Sequence, residues 1–457
     1  MVNGDRGKDF VDELLGMARS LDLDELPPSV VRAGRRVLID VVGSMLAGIT
    51  EEKVRILADE MSCASAAPTS TILGSGYSAD AAWAALVNAT AAVWHDVDPG
   101  HRFSGGNPAV YPVAAGLAVA ERGGASGKRL LEAVIGGYEL GARTGLGTTL
   151  RAGMDSHGSW PIVGGAVAAA MLTSRDHACF RHAVNIVTTF NIASSCRAIL
   201  DGASIRNIYA GFGSAMGVVA ATLAEDGFTA ERDGLSTVFG TIAGEYLDVD
   251  KMIESLGQRW EIERGYHRRH ASLRDLHSAL DALISIAGDG GIPVGEIERI
   301  EVRTYDLAAA MNRVAPENPG AAKASIPWAL GAYLALGTTG PAAYSVESLA
   351  NGKIRDLAAR VQVQRDPVLD ARTPGERPAV VKVCLRDGRE FVNRVERPSG
   401  EFDTNPLSDD DLKEKFLAAA SLPLGVEKAN RVLDALGRIE RISDVRHFTV
   451  LCKTAGA

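Results

Sequence analysis

Cysteine is scarce in this chain: five in 457 residues, at Cys63, Cys179, Cys196, Cys384 and Cys452. They are scattered, odd in number and form no C-x-x-C pair, which excludes a disulfide framework, does not resemble an iron–sulfur ligand set, and suits a reducing compartment. The first residues, MVNGDRGKDFVDELLG, lack the basic segment and apolar run of a secretory signal. The most apolar stretches, Pro161 to Leu172 and Ala215 to Ala224, fall short of the roughly 20 residues that span a bilayer. Basic charge is also lacking. A net charge of -9 opposes the phosphate backbone of nucleic acid. These absences point to a cytoplasmic protein with neither membrane nor nucleic acid as partner. Repeats, low-complexity tracts and long linkers are absent too.

What is present is an ordinary globular composition, 46% hydrophobic and 23% charged. From Asp9 to about Asp250 apolar residues recur near the helical period, as in Phe10, Leu14, Leu15 and then Val30, Val37, Leu38, Val41 and Met45. Pro27 and Pro28 open the second of these helices. The segments Ala81–Trp94, His157–Leu172 and Ala210–Ala224 are rich in Ala and Gly, which lets helices pack closely at the centre of a bundle. Ser70–Gly74 reads as a short strand. After Tyr266 the pattern changes: Ile297–Tyr305 alternates like a strand, and Ala379–Val395 reads as two strands about an Asp387-Gly388 turn. From Ser408, a cap followed by acids, helices return after a loop at Arg397–Pro406. The expected architecture is mainly α with α+β: a helical domain formed by residues 1–265 and 397–457, with a smaller α/β lid at 266–396 inserted between.

Four segments could carry chemistry. His95-Asp96-Val97-Asp98-Pro99-Gly100-His101-Arg102, followed by Asn107-Pro108, places carboxylates, imidazoles and an arginine on one loop. Such a set offers a base, an acid and an anion clamp, though ordinary polar loops share the composition. A metal reading of its alternating Asp and His lacks a second ligand cluster. Asp155-Ser156-His157-Gly158-Ser159-Trp160 precedes an apolar helix, whose N-terminus could hold a carboxylate while His157 moves a proton, or be merely capped. Arg264 to His277 is a basic stretch in an acidic protein, suited to an anionic ligand or simply to solvent. There Ser272 and Asp275 resemble a capping box, which would put Arg274, His277 and Asp281 on one face with Asp281 orienting His277. Finally, Arg206 in Ser204–Gly211 could pair bidentately with a carboxylate.

Taken in order, these segments resemble the MmgE/PrpD family, which includes 2-methylcitrate dehydratases, cis-aconitate decarboxylases and iminodisuccinate epimerases. The likeness covers nearly the whole chain. It rests on the His95-x-x-Asp98 loop, on PVAAGLAVAERGGASGKRLLEAVIGGYELGARTG from Pro112 to Gly145, on His157-Gly158-Ser159-Trp160-Pro161, and on Gly227-Phe228-Thr229. In the second lobe Tyr266, Arg274, His277 and Asp281 match the pattern Y-x-K-x-x-x-x-x-R-x-x-H-x-x-x-D, and NPLSDDDLKEKF closes the match. The resemblance implies a two-lobed fold with a cleft between the lobes, a homodimer, and no metal or organic cofactor. It implies site residues Asp98, His157, Arg274 and His277.

The chain departs from the family's commoner pattern at several positions. Arg268 and Arg206 stand where lysines are common, Asn107 where a His-Pro is usual, Trp328 where a tyrosine often stands, and Gly100-His101-Arg102 where Asp-Asp-Thr is usual. Guanidinium keeps carboxylate binding but carries no proton. The acid–base candidates are then Asp98, His101, His157, His270 and His277, with Arg102, Asn107, Arg206, Arg268, Arg274 and Trp328 for binding. The expected reaction is cofactor-independent abstraction of a proton α to a carboxylate of a di- or tricarboxylic acid, with Asp98 acting through a neighbouring imidazole on the leaving hydroxyl. Dehydration ranks first. Epimerisation, decarboxylation and a non-catalytic carboxylate-binding homologue are the alternatives.

Overall fold

A computed structural model describes residues 9–174, 176–288 and 291–454. Two hydrophobic cores are built from different parts of the chain. The larger gathers side chains from Val11 to Ile262 and again from Phe416 to Cys452; the smaller runs from Ala271 to Leu385. The C-terminal return is anchored by helix Asp409–Leu424 lying on helix Pro28–Gly48. Ser408 opens it with a full capping box to Asp411, satisfying backbone N–H groups that would otherwise lack partners.

At the centre of the larger lobe lie helices Ala81–Val93, Val110–Gly123, Gly127–Gly147, Ile162–Thr173 and Ile205–Glu225. Small residues set their spacing. A Cβ on Gly164 would lie 2.6 Å from the Gly137 carbonyl oxygen, and one on Gly137 would lie 2.4 Å from that of Gly164. The two backbones therefore touch where any side chain would force them apart. Helix Ile205–Glu225 is longer than its apolar tract suggested, and by length and composition alone it could cross a membrane. It instead packs against three of these central helices and buries Ala210, Gly211, Ala215 and Val218 among them. Helix Ile162–Thr173 starts later than expected, so residues 157–161 form a turn before it.

The smaller lobe carries a four-stranded sheet in the order Glu390–Val395, Ala379–Leu385, Ile297–Thr304, Val361–Arg365. The first two pairings are antiparallel, and the last is parallel. Helix His277–Ala287 packs on the sheet. The expected helix start at Ser272 is corrected: residues 274–276 form a 3-10 turn and the α-helix begins at His277. Ser70–Thr71 pairs with Ser78–Ala79 as a minor ribbon. All five cysteines are free.

Among the contacts that tie the lobes are a strand pairing and a buried ion pair. Gly100–His101 pairs antiparallel with Gly265–Tyr266, and a Cβ on Gly100 would lie 2.4 Å from the Tyr266 hydroxyl. Asp40, buried on helix Pro28–Gly48, faces His267 Nδ1 at 2.6 Å and accepts from Lys415 Nζ at 2.5 Å.

Gly164→Ala is expected to lower stability by about 1–3 kcal/mol, the usual cost of an overpacked core, measured as a shift in chemical denaturation. Gly16→Ala is the control, because a Cβ there meets nothing within 4 Å.

Candidate active site

The loop after helix Ala81–Val93 is clamped at each step. The Trp94 carbonyl accepts from Lys323 Nζ, and the Val97 carbonyl accepts from Lys415 Nζ at 2.6 Å. Asp96 adopts φ 53°, a left-handed conformation that aspartate tolerates better than most residues. Its carboxylate accepts from Arg206 Nη1 at 2.6 Å and lies 3.4 Å from Lys323 Nζ and 3.7 Å from Arg268 Nη1. Burial alone would raise the Asp96 pKa, but Arg206, Lys323 and Arg268 together hold it well below the usual carboxylate range. Asp98 is fully buried. It accepts from Arg268 Nη1 at 3.1 Å and from Asn107 Nδ2 on its other oxygen. Its bonded neighbours are thus an amide and a guanidinium rather than the expected imidazole.

Arg206 joins this loop to the second segment. Burial opposes its charge, and Asp96, Asp155 and Asp98 more than offset that. Asp155 accepts from the His157 backbone N–H at 3.0 Å and faces His157 Nδ1 at 3.1 Å. Burial would raise the Asp155 pKa, yet His157 and Arg206 bring it to about 2, so the group is a carboxylate and Nδ1 is the donor. Nε2 of the neutral ring then presents its lone pair. That atom is buried and has no partner. The turn is fixed by Gly158, at φ 75°, whose N–H donates to the Tyr111 hydroxyl at 2.8 Å.

The remaining sequence candidates have other tasks. His101 is enclosed, with Nδ1 3.0 Å from Ser104 Oγ and Nε2 facing Glu261 at 3.2 Å. Arg102 spends its terminal nitrogens on Glu401 at 3.2 Å and Asp403 at 3.0 Å. Arg274 donates to Glu401 at 2.9 Å and to the Ser399 carbonyl at 2.8 Å, which leaves it bracing the loop after the last strand.

His277 has both ring nitrogens engaged: Nδ1 accepts from Arg274 at 3.1 Å, so the proton sits on Nε2, 3.2 Å from the Ser272 carbonyl. Burial first, then the neighbouring His270 and the cations Arg274 and Arg268, push its pKa well down. Asp281 does not orient His277. It faces His270 Nε2 at 2.9 Å and accepts from the Ser399 N–H at 2.6 Å. His270 Nδ1 lies 2.7 Å from Thr339 Oγ1, so both nitrogens of this ring are also engaged. Trp328 is a core side chain of the smaller lobe, 1% exposed, with Nε1 donating to the Ala343 carbonyl at 3.1 Å; it is corrected from a binding residue to a packing one.

The structure therefore brings together Asp98, Asn107, His157, Arg206 and Arg268, and adds Asp96, Tyr111, Asp155 and Lys323. Lys323 carried no sequence signal, since Ala-Ala-Lys-Ala-Ser has no chemistry-bearing neighbour. Asp96 and Asp155 lay inside recognised segments, but only the fold showed which acid faces which cation. Around this cluster several buried polar atoms lack hydrogen bonds: His157 Nε2, Asp155 Oδ2, Arg206 Nε, Arg268 Nε, Ser272 Oγ and Tyr344 OH. Buried polar groups are nearly always paired. These atoms come from both lobes, and the neighbouring Arg102 Nε and Arg274 Nε are unpaired as well. A cleft of about 820 Å³ lies between the lobes, lined by Ile39, Asp40, Phe416, Pro341, Lys323 and Tyr344 among others; it reaches Lys323 but is not lined by His157, Arg206, Arg268, Asp96 or Asp98. No group of three or more metal-ligating side chains occurs among the described residues.

Comparison with known proteins agrees with this two-part layout. Residues 12–245 match the MmgE/PrpD N-terminal domain and residues 270–439 the MmgE/PrpD C-terminal domain. Cis-aconitate decarboxylase of Homo sapiens is 24% identical over 465 residues, spanning 98% of this chain and 95% of that protein. The Mus musculus cis-aconitate decarboxylase is 23% identical over 466 residues, spanning 98% and 94%.

His95, at the mouth of the loop, supplies a pH test. Burial, then the charge of Lys323, pushes its pKa down to about 3, against about 6.5 in an unfolded chain. The folded state resists a proton that the unfolded state takes up, so this stabilisation is complete above about pH 6.5 and is lost as pH falls toward 3. His95→Gln should flatten the decline in denaturation midpoint between pH 7 and pH 4.

Proposed function

The chain belongs to the MmgE/PrpD family, and from that premise we propose that it is a cofactor-independent lyase that removes a proton α to the carboxylate of a small acid. One observation carries the reading. His157 Nε2 is a buried imidazole nitrogen with a free lone pair, oriented from behind by the charged Asp155. That pairing is what a general base needs, because the carboxylate fixes the tautomer and stabilises the imidazolium once formed.

The Nε atoms of Arg206 and Arg268 supply fixed donors for the substrate carboxylate and for the charge that develops as it becomes enolate-like. Asp98, held by Arg268 and Asn107, is the candidate for handling the leaving group. Departure of the β hydroxyl as water, taking the proton that His157 removed while the C–H electron pair forms the double bond, completes a dehydration, the first reading. In the second reading no α proton is removed: the bond to a carboxylate breaks, carbon dioxide leaves, and the imidazolium form of His157 delivers a proton to the carbon, a reading favoured by the two full-length relatives that are cis-aconitate decarboxylases. A cytoplasmic homodimer belongs to the same proposal. Ile205 and Phe212 are exposed seven residues apart on one helix, a spacing that puts them on one face where a second copy could cover them.

Proton NMR in D2O with purified protein tests the reading on methylcitrate, citrate, aconitate, malate-like acids and simpler monocarboxylates. Exchange or conversion of one acid is expected. His157→Gln should reduce it by about 10²-fold or more, the usual share of a general base, with denaturation almost unchanged. Undiminished turnover in His157→Gln removes it as the base, and binding without exchange across the panel favours a non-catalytic carboxylate-binding protein.

A further inference from the structure

The proposed site contains its own anion. Asp96 lies directly on Arg206, with Lys323 and Arg268 on its other sides, at 2.6, 3.4 and 3.7 Å, and it is 5% exposed. Asp98 takes a second share of Arg268. The three cations at the centre are thus matched by three carboxylates, Asp96, Asp98 and Asp155. Farther out, Arg102, Arg274 and Arg397 share two carboxylates, Glu401 and Asp403. The central set of Arg206, Arg268, Lys323, Asp96, Asp98 and Asp155 sums to zero with His157 neutral and to one positive with His157 protonated.

An ion taken from water into such a site needs a partner of opposite sign, because an uncompensated buried charge is strongly unfavourable. One incoming carboxylate finds the two unpartnered arginine Nε atoms, Arg206 and Arg268, which are 6% and 4% exposed as residues. A second or third would meet Asp96 where it would need Arg206. Asp96 also holds its backbone in the left-handed region, a conformation that turns its carboxylate inward onto the cations.

Resting on the α-proton reading above, we propose that Asp96 is the specificity-determining residue, and that it restricts the site to acids bearing a single carboxylate. The side chain occupies the place that a further substrate carboxylate would take in a cluster of uncompensated arginine and lysine. Replacing it by a neutral isostere frees Arg206 and Lys323 and enlarges the charge the site accepts by one unit.

Isothermal titration of the full-length protein with butyrate, glutarate and tricarballylate, which carry one, two and three carboxylates, reads this directly. Wild type is expected to weaken by about tenfold or more for each added carboxylate, an energy difference of about 1.4 kcal/mol per step. Asp96→Asn should bind glutarate at least as tightly as butyrate. If Asp96→Asn does not fold, the wild-type series still decides, and Lys323→Met should weaken glutarate more than butyrate.

Wild-type protein that binds tricarballylate as tightly as butyrate, or that binds none of the three, overturns the proposal. So does a folded Asp96→Asn with unchanged preference. Deuterium exchange separates the two readings: exchange into a di- or tricarboxylate overturns this inference and keeps α-proton abstraction. Selective binding of butyrate with no exchange into any acid keeps the charge restriction and discards the chemistry.

Discussion

A balanced set of buried charges is the constraint around which this molecule is arranged. Asp96, Asp98 and Asp155 come from the larger lobe, as does Arg206, while Lys323 and Arg268 come from the smaller. None of these ions could sit alone at such depth, since removing a partner leaves a charge that water no longer compensates. The lobes are thus held at one separation by groups that are useless to stability unless all are present. Buried ion networks are poor stabilisers compared with apolar packing of equal volume.

The packing around the cluster serves its placement. Helices that approach to backbone contact at Gly137 and Gly164 give the loops at their ends little freedom. The Asp155–His157 turn precedes helix Ile162–Thr173, and the Asp96–Asp98 loop follows helix Ala81–Val93. Both loops are then pinned by backbone carbonyls or hydroxyls: Trp94 and Val97 by lysines, Gly158 by Tyr111. The backbone on either side of the His157 imidazole is thereby fixed.

The histidines divide by partner. His270 and His277 sit ring to ring at 4.8 Å in the basic stretch, and every nitrogen on both is engaged. They orient the strand of chain carrying Arg268 and Arg274. His157, in a segment of ordinary appearance, alone of the three keeps a nitrogen unengaged. His270 is held by Thr339 and Asp281 from other elements, while His277 is held by the nearby Arg274 and the Ser272 carbonyl.

The sequence by itself determined the helical bundle, the sheet lobe with its Asp387-Gly388 turn and the helices that follow Ser408. Periodicity, capping residues and glycine content are local signals, and local energies decide those elements. Tertiary structure alone decided the pairing of charges: that Asp281 serves His270, that Arg102 and Arg274 are consumed by Glu401, that Trp328 is core, and that Lys323 reaches Asp96. Each of these contacts joins residues from separate elements or separate lobes. Its energy depends on burial and on the sum of all nearby charges, quantities that exist only once the chain has folded.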